Sequence, residues 1–360
     1  MGSLLNINNL DNKKDEREQF NSTKSEPSEQ TYNLITYIKK IELPLRMQFR
    51  ILNDGRIGGK EYQNFTDFVI LNPEDLSINT RIEFKTQLLN WIQMKNDLLI
   101  TFREDYYVVN IIKLTSSSKY EIIYSIELPK FGPCAYSFAL AESCEGELII
   151  GYPDRNDSYY NLLFYEINYN ICQLNRKQKI QLKCDSIVSI YPLEGKNMLH
   201  KNDTLIFINS KTGQILYNKI FDNEIKKIIL NYSKDLILLS FSDILYFLNW
   251  KNYEIIKTIN CGSLDEFGIN IYFFKPYLCF NDYIIAERGK MGYGYGQESI
   301  KIFKIINNNN GIIDENEIKV FEEMQNLGLK AKSLYFFEKN NMIYIQIDNK
   351  KVLVYQINKI

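Results

Sequence analysis

Apolar and polar residues alternate in short runs from Tyr32 to the end of the chain, and this pattern predicts β-strands. The runs hold β-branched and aromatic residues, and turns rich in Asn, Asp, Gly and Lys separate them. No long stretch has the period of an amphipathic helix. Residues 1–30 are polar and charged, with too little apolar surface to offset the entropy lost on ordering. The pattern therefore predicts a disordered arm over residues 1–30 and an all-β domain over residues 31–360.

A pair of strands joined by a short turn recurs along this domain. In the clearest pair, Phe68–Leu71 is followed by a turn at Asn72–Asp75 and by a strand that ends at Phe84. Five more pairs have the same form: Val108–Lys113 with Tyr120–Leu128, Leu162–Ile167 with Arg176–Leu182, Leu205–Ile208 with Gln214–Phe221, Ile244–Leu248 with Tyr253–Cys261, and Ile300–Ile305 with Asn316–Phe321. The basic spacing of about 40 residues, with two longer steps, is typical of four-stranded β-propeller blades.

A strand predicted near the N-terminus supplies the strand that the last repeat lacks. Three strands are predicted after Ala331, so the last repeat is one strand short: Ser333–Phe337, Met342–Ile347 and Val352–Ile357. Leu34–Leu43 has the pattern of a strand, with no partner strands before it. Adding it to the last repeat completes a seventh unit and leaves no terminal blade with an open face. The predicted fold is an all-β, seven-bladed β-propeller closed by an N-terminal strand.

In the spacing of its predicted strands, the segment from Tyr32 to Ile360 resembles the WD40-like β-propeller superfamily. Leu52–Gly59 resembles the turn and second strand of a WD40 blade, and Thr212-Gly213-Gln214 stands where such repeats often place a Thr-Gly turn. No Gly-His pair opens a repeat, and the positions of the Trp-Asp pair hold Ile70-Leu71, Glu166-Ile167 and Asn249-Trp250. With one histidine in the chain, the Asp-His network of WD40 blades cannot form. The resemblance implies a propeller and, by analogy, a scaffold, and it assigns no functional residue.

Composition narrows the classes of function. The 43 basic and 44 acidic residues give a net charge of −1, which argues against a nucleic-acid binder and against polybasic contact with a membrane. The 6 cysteines include no CxxC pair and indicate reduced thiols. No run approaches the roughly 18 apolar residues of a membrane span, and Gly2 meets only half of a myristoylation motif. We expect an intracellular, cytoplasmic protein with no transmembrane segment and no obligate homo-oligomer.

Few residues could carry chemistry. His200, the single imidazole, is expected in a loop of the fourth repeat, where an ordinary loop role outweighs that of a catalytic base. Gly292–Gly296 lacks the Lys and Ser/Thr of a phosphate loop, and Asp154–Ser158 lacks the Gly and Glu of a calcium loop. Arg288-Gly289-Lys290 matches poorly the Arg-Arg-Gly motif of phosphoinositide-binding propellers. These sites are the weaker interpretations, and the sequence predicts no catalytic residue, cofactor or metal.

Two insertions are candidates for contact with a partner. They span about 152–160 and 288–299, and both join second to third strands, which places them on one rim of a propeller. Tyrosine supplies contact area at low cost in rotamer entropy. The predicted contact residues are Tyr159, Tyr160, Arg288, Lys290, Tyr293 and Tyr295. The alternative is that both segments are insertions without a role.

Two functions from different classes remain. The first is a non-enzymatic platform that binds other proteins as a subunit of a larger assembly, with no nucleic-acid partner. The second is an enzyme or small-ligand binder that uses the central channel of the propeller. The first is favoured, because the second needs converging acids, histidines or a metal, and no such set is evident in the sequence.

Overall fold

In a computed structural model, the chain is a β-protein. The structure describes residues 35–62, 66–84, 87–103, 107–115, 119–129, 138–154, 159–168, 173–183, 187, 189–231, 235–241, 244–260, 272–280, 283–290, 299–304, 314–318, 333–337, 341–347 and 350–358. The predicted arm over residues 1–30 lies outside these ranges. No helix within them is long and apolar enough to cross a membrane.

The described strands form seven four-stranded antiparallel sheets, which we number as blades in chain order. Blade 1 contains β2 (Met47–Ile51), β3 (Ile57–Glu61), β4 (Asp67–Leu71) and β5 (Ile78–Glu83). Blade 2 contains β6 (Leu88–Gln93), β7 (Leu99–Arg103), β8 (Val108–Leu114) and β9 (Tyr120–Glu127). Blade 3 contains β10 (Ala139–Glu142), β11 (Leu148–Pro153), β12 (Tyr160–Asn168) and β13 (Gln173–Leu182).

The remaining blades follow the same order from the innermost to the outermost strand. Blade 4 contains β14 (Ser189–Leu193), β15 (Lys196–Lys201), β16 (Thr204–Asn209) and β17 (Ile215–Ile220). Blade 5 contains β18 (Lys227–Asn231), β19 (Leu236–Ser240), β20 (Ile244–Asn249) and β21 (Glu254–Asn260). Blade 6 contains β22 (Tyr272–Phe280), β23 (Tyr283–Lys290), β24 (Ser299–Lys304) and β25 (Asp314–Ile318). Blade 7 contains β26 (Ser333–Phe337), β27 (Met342–Gln346), β28 (Lys351–Ile357) and, as its outer strand, β1 (Ile35–Glu42).

The N-terminal strand closes the ring, as predicted. Strand β1 pairs antiparallel with β28 from Ile35 opposite Ile357 to Glu42 opposite Lys351. Its buried end, Ile41 and the following Leu43, packs in a cluster with β28 and blade 1. The chain therefore joins its two ends within one sheet.

The core lies between the faces of neighbouring blades. Inner strands of successive blades contact each other, as β10 does with β6 and β14, and β22 does with β18 and β26. The cluster between blades 2 and 3 includes stacked Phe102 and Phe138. The cluster between blades 1 and 2 includes Phe68 and Trp91, edge to face at 4.7 Å. Sheets packed face to face around a ring make up a β-propeller, and this prediction is confirmed.

One turn recurs in three blades although its sequence does not. Between the first and second strands of blades 1, 2 and 3, a residue with positive φ donates its amide to a carbonyl three residues earlier: Gly55 to Leu52, Asp97 to Met94, and Gly146 to Ser143. A left-handed residue at this point is typical of three-residue hairpin loops. Glycine reaches that conformation without strain, and Asp tolerates it.

The turn between the third and fourth strands of blade 4 is stabilised by a side chain. Asn209 begins this turn, and its side-chain oxygen accepts the amides of Lys211 and Thr212, both at 2.9 Å. Gly213 then has φ of +72°. The Thr-Gly turn predicted between the last two strands is therefore confirmed.

Some strand boundaries differ from their predictions: β12 begins at Tyr160 and β13 at Gln173, whereas Leu162 and Arg176 were expected. Strand β25 covers Asp314–Ile318, and Asp314 lies opposite Lys304, so this hairpin closes two residues earlier than the predicted start at Asn316. Phe321, the predicted end, lies outside the described residues. The pairing of the strands decides this boundary, and the preceding asparagine run gives no local signal for it.

Candidate functional site

The two rims of the propeller carry its connections. The upper rim is the side that carries the links between the second and third strands of each blade. The lower rim is the side that carries the turns between the first and second strands and between the third and fourth strands. Both predicted insertions belong to the upper rim, in blades 3 and 6.

Tyr159 and Tyr160 are neighbours in the chain with opposite environments. Tyr159 is 40% exposed, whereas Tyr160 is fully buried at 0%. Tyr160 begins β12, lies opposite Pro153 and Leu182, and belongs to the core cluster between blades 3 and 4. Its prediction as a contact residue is therefore wrong, because the first six residues of β12, starting at Tyr160, are all buried between neighbouring blades. Tyr159 remains available on the upper rim.

The predicted insertion in blade 6 is shorter than expected. Arg288 and Lys290 lie in strand β23, where Arg288 is opposite Phe274 and Ser299, and Lys290 is opposite Tyr272. The prediction of both as loop residues is wrong, because the pairing of β22 with β23 extends to Lys290. Tyr293 and Tyr295 lie outside the described residues.

His200 is a strand residue, which corrects the expected loop position. It lies in β15 opposite Ser189 and Leu205, and it is 8% exposed. The turn begins only at Asn202, whose φ is +41° and whose carbonyl oxygen lies 3.1 Å from His200 Nε2. Burial lowers the pKa of His200 from its ordinary value of 6.5, and the hydrogen bond with Asn202 opposes that shift. The imidazole is therefore a neutral, buried group near neutral pH.

The proposed calcium loop is only partly described. Asp154 donates its amide to the carbonyl of Tyr159 at 2.8 Å, which closes the base of the loop, and residues 155–158 lie outside the described ranges. Across the residues that are described, no group of three His, Cys, Asp or Glu side chains could hold a metal ion.

A buried acidic pair in blade 1 was missed by the sequence analysis. Glu61 at the end of β3 and Asp67 at the start of β4 are both buried and accept from the same Arg81 nitrogen, Nη1, at 2.9 and 2.6 Å. The hydrogen bond that Arg81 donates to Asp67 raises the pKa of Arg81, with a smaller contribution from the hydrogen bond to Glu61. The single guanidinium contacts both buried carboxyl groups at the upper rim and holds the outer strand β5 against β3 and β4.

A cluster of aromatic rings around a lysine joins blades 4 and 5 at the lower rim. Lys196 Nζ donates to the Tyr253 hydroxyl at 3.0 Å and to the Trp250 carbonyl at 3.3 Å. The same ammonium lies 4.5 Å from the Tyr253 ring centre, and Tyr253 stacks on Tyr217 at 4.6 Å. Since cation–π and stacking contacts already satisfy these groups, the cluster acts as an interblade contact.

The outer strands present most of the large apolar side chains that are exposed. In the described residues these are Tyr37 and Ile38 on β1, Ile78 on β5, Tyr120 and Ile122 on β9, Ile256 on β21, and Ile215, Leu216 and Ile220 on β17; Tyr159 stands apart on the upper rim. Strand β17 carries three of them, and Ile220 is 70% exposed. The low charge of its sequence, ILYNKI, was the signal that could have identified it.

Solved structures similar to this chain are β-propellers of varied function. A chain from the crystal structure of the mitotic checkpoint complex has a TM-score of 0.59 and 8% identity, covering 91% of this chain and 97% of that chain. A streptogramin B lyase structure has a TM-score of 0.55 and 9% identity, covering 91% and 99%. A catalytically inactive histidine-to-alanine variant of virginiamycin B lyase from Staphylococcus aureus with quinupristin has a TM-score of 0.56 and 10% identity, covering 90% and 100%.

At these identities the likeness shows the shared fold alone. No protein-family model matches the sequence, and no curated protein matches it significantly.

Proposed function

We propose that this chain is a seven-bladed, WD40-like propeller that acts as a non-enzymatic platform for binding other proteins within a larger assembly. The observation that carries the proposal is the position of the exposed apolar side chains on the outer strands, where they are accessible to a partner. Their concentration on β17 gives the ring one side wall that differs from the others. The chain from the mitotic checkpoint complex is a precedent for the same fold inside an assembly.

The alternative is an enzyme that uses the central channel, and the two lyase structures are its precedent. One of those lyases is described as inactive after a histidine is replaced by alanine. The single histidine of this chain, His200, is buried in β15 and bonded to a backbone carbonyl, so it does not offer an exposed imidazole. This placement favours the platform.

The test is affinity purification of the tagged full-length chain under mild conditions, followed by native mass spectrometry. We expect protein partners in stoichiometric amounts. Recovery of the chain alone with a bound small molecule or metal would contradict the platform and favour the enzyme. We also propose that the protein is cytoplasmic and needs no homo-oligomer; imaging of the tagged chain and light scattering of the purified protein test these two points.

A further inference from the structure

The outer strands of the blades differ in how much charge they carry. Among those that the structure describes, six hold two or more charged residues, namely β1, β5, β9, β13, β21 and β25. Strand β13, for example, carries Arg176, Lys177 and Lys179. Charged side chains on an edge strand prevent unwanted pairing with other chains. Strand β17 carries one charge, Lys219, and is the least protected of these edges.

The exposed side chains of β17 are aliphatic. Ile215, Leu216 and Ile220 are 55%, 40% and 70% exposed. Asn218 lies opposite Ile206, which packs with Ile180 of blade 3. Because residues two apart share a face, Ile220 stands on the same side as Asn218, towards the wall of blade 3. Leu216 is the extra residue at the bulge between Phe207 and Ile208. The edge thus offers apolar side chains along its length.

The outward peptide groups of β17 can be identified. The amide of Phe221 donates to the carbonyl of Asp203 at 2.9 Å, so it points into the sheet. Peptide groups of an extended strand alternate in direction, and those of Asn218 and Ile220 therefore point away from the sheet. Strand β17 is the last in its sheet, and no described strand pairs with that side. The edge can accept a further strand.

Charge selects the kind of partner. From Ser210 to Phe221 the chain contains no acidic residue, and Lys211 and Lys219 stand near the two ends of the strand. Antiparallel pairing of the strand with its own copy would bring these equal charges together. An extended segment with alternating aliphatic residues and acidic ends matches the edge better, because strand addition provides main-chain hydrogen bonds.

We propose that β17 binds an extended, acidic and aliphatic segment of a protein partner by strand addition. This proposal rests on the platform function and gives it a site and a class of ligand. The main chain of the segment pairs with the outward groups of Asn218 and Ile220, its aliphatic side chains cover Ile220 and Leu216, and its acidic ends approach Lys211 and Lys219.

The test uses the full-length chain and a fluorescent nonapeptide, acetylated and amidated, of sequence Glu-Ile-Thr-Val-Thr-Ile-Thr-Val-Asp. Ile220→Pro removes an outward amide and leaves the ladder to β16, and Ile220→Lys changes only the side chain. Glu83→Pro is the matched control, because Glu83 on β5 also precedes a phenylalanine, Phe84, whose amide closes the strand onto Thr66. Circular dichroism verifies that each variant folds, and Ile220→Lys remains the test if the proline variant does not.

Fluorescence anisotropy should show saturable binding to the unmodified chain. We expect each Ile220 variant to weaken it at least tenfold and Glu83→Pro to leave it within twofold. A peptide with lysine in place of both acids should bind at least fivefold more weakly at low salt, and the difference should shrink as salt screens the charges.

Several outcomes would overturn the proposal: no saturable binding, equal affinity in the Ile220→Lys variant, or an equal loss with Glu83→Pro. Self-association that Ile220→Lys abolishes would identify a second copy as the occupant instead. Tighter binding of a single-stranded RNA decamer, lost on Lys219→Ala and unaffected by Ile220→Pro, would identify nucleic acid. If purified partners stay bound to the Ile220→Lys variant, the platform stands and the β17 site is wrong.

Discussion

The phenol oxygen of Tyr160 lies 2.6 Å from the point that a β-carbon on Gly151 would occupy. Gly151 belongs to the adjacent strand β11, and its missing side chain leaves the space that the Tyr160 ring fills between blades 3 and 4. The close approach explains a glycine in a buried strand. It also gives Tyr160 a structural role that its exposed neighbour Tyr159 does not share.

The two adjacent tyrosines should therefore respond very differently to truncation. Tyr160→Ala removes a fully buried ring and should lower the free energy of unfolding by about 3–5 kcal/mol. Tyr159→Ala changes an exposed residue and should cost no more than about 0.5 kcal/mol. Urea unfolding followed by tryptophan fluorescence measures both. Similar costs for the two variants would show that Tyr160 is not packed in the core between blades 3 and 4.

Closure of the ring predicts a sharp difference between two truncations. Deleting residues 1–43 removes β1 and Leu43, so β28 loses its outer partner and cooperative unfolding should be lost. Deleting residues 1–30 leaves every described contact in place and should shift the melting temperature little. Calorimetry of both truncated proteins is the measurement. If the shorter protein melts as cooperatively as the longer one, the pairing of β1 with β28 does not hold the ring closed.

Removal of Arg81 should leave two buried carboxylates without their cation. Because the guanidinium itself is partly exposed, we expect Arg81→Ala to cost about 1–3 kcal/mol, below the value for a fully buried pair. Lys177→Ala is the control, since Lys177 pairs with Glu166 on the surface, with both side chains about half exposed. That change should leave the free energy of unfolding nearly unchanged. If both changes lowered the free energy of unfolding equally, Arg81 would not stabilise the buried Glu61 and Asp67.

His200 should make the fold less stable in mild acid. Burial lowers its pKa below the ordinary value of 6.5, so the unfolded chain binds the proton more tightly than the folded chain. The stability that the buried, neutral imidazole contributes to the fold is fully present above pH 6.5 and is lost as the pH falls below that value. His200→Gln should therefore flatten the decline of the unfolding free energy between neutral pH and pH 5. An unchanged slope in the variant would place His200 in solvent contact.

Much of the architecture could be predicted from the sequence because strands leave a local signal. Runs such as Phe68–Leu71 alternate or are continuously apolar, and turn residues bound them. The closure followed from counting, since the last predicted repeat had three strands and lacked a fourth, and Leu34–Leu43, observed as β1 (Ile35–Glu42), had no partner strands before it. These inferences depend only on neighbours in the chain and on the need to pair every sheet.

The candidate site was harder to predict because exposure depends on contacts between blades. Tyr159 and Tyr160 have the same side chain, and the sequence does not show that the buried strand β12 begins at Tyr160, beside the space left by Gly151. His200 was read as part of a polar turn, whereas pairing with β14 and β16 keeps it in a strand.

The sequence predicts the strands, their grouping in fours and the way in which the ends meet, because hydrophobic period and turn chemistry are local. Which polar groups are buried and which edge is open depends on how the strands and blades pack. Glu61, Asp67 and Arg81 come together from three strands of blade 1. Strand β17 becomes distinctive only when it is known to be the outer strand of its sheet. Packing sets the distances between strands and between blades, and these distances cannot be read from the order of residues along the chain.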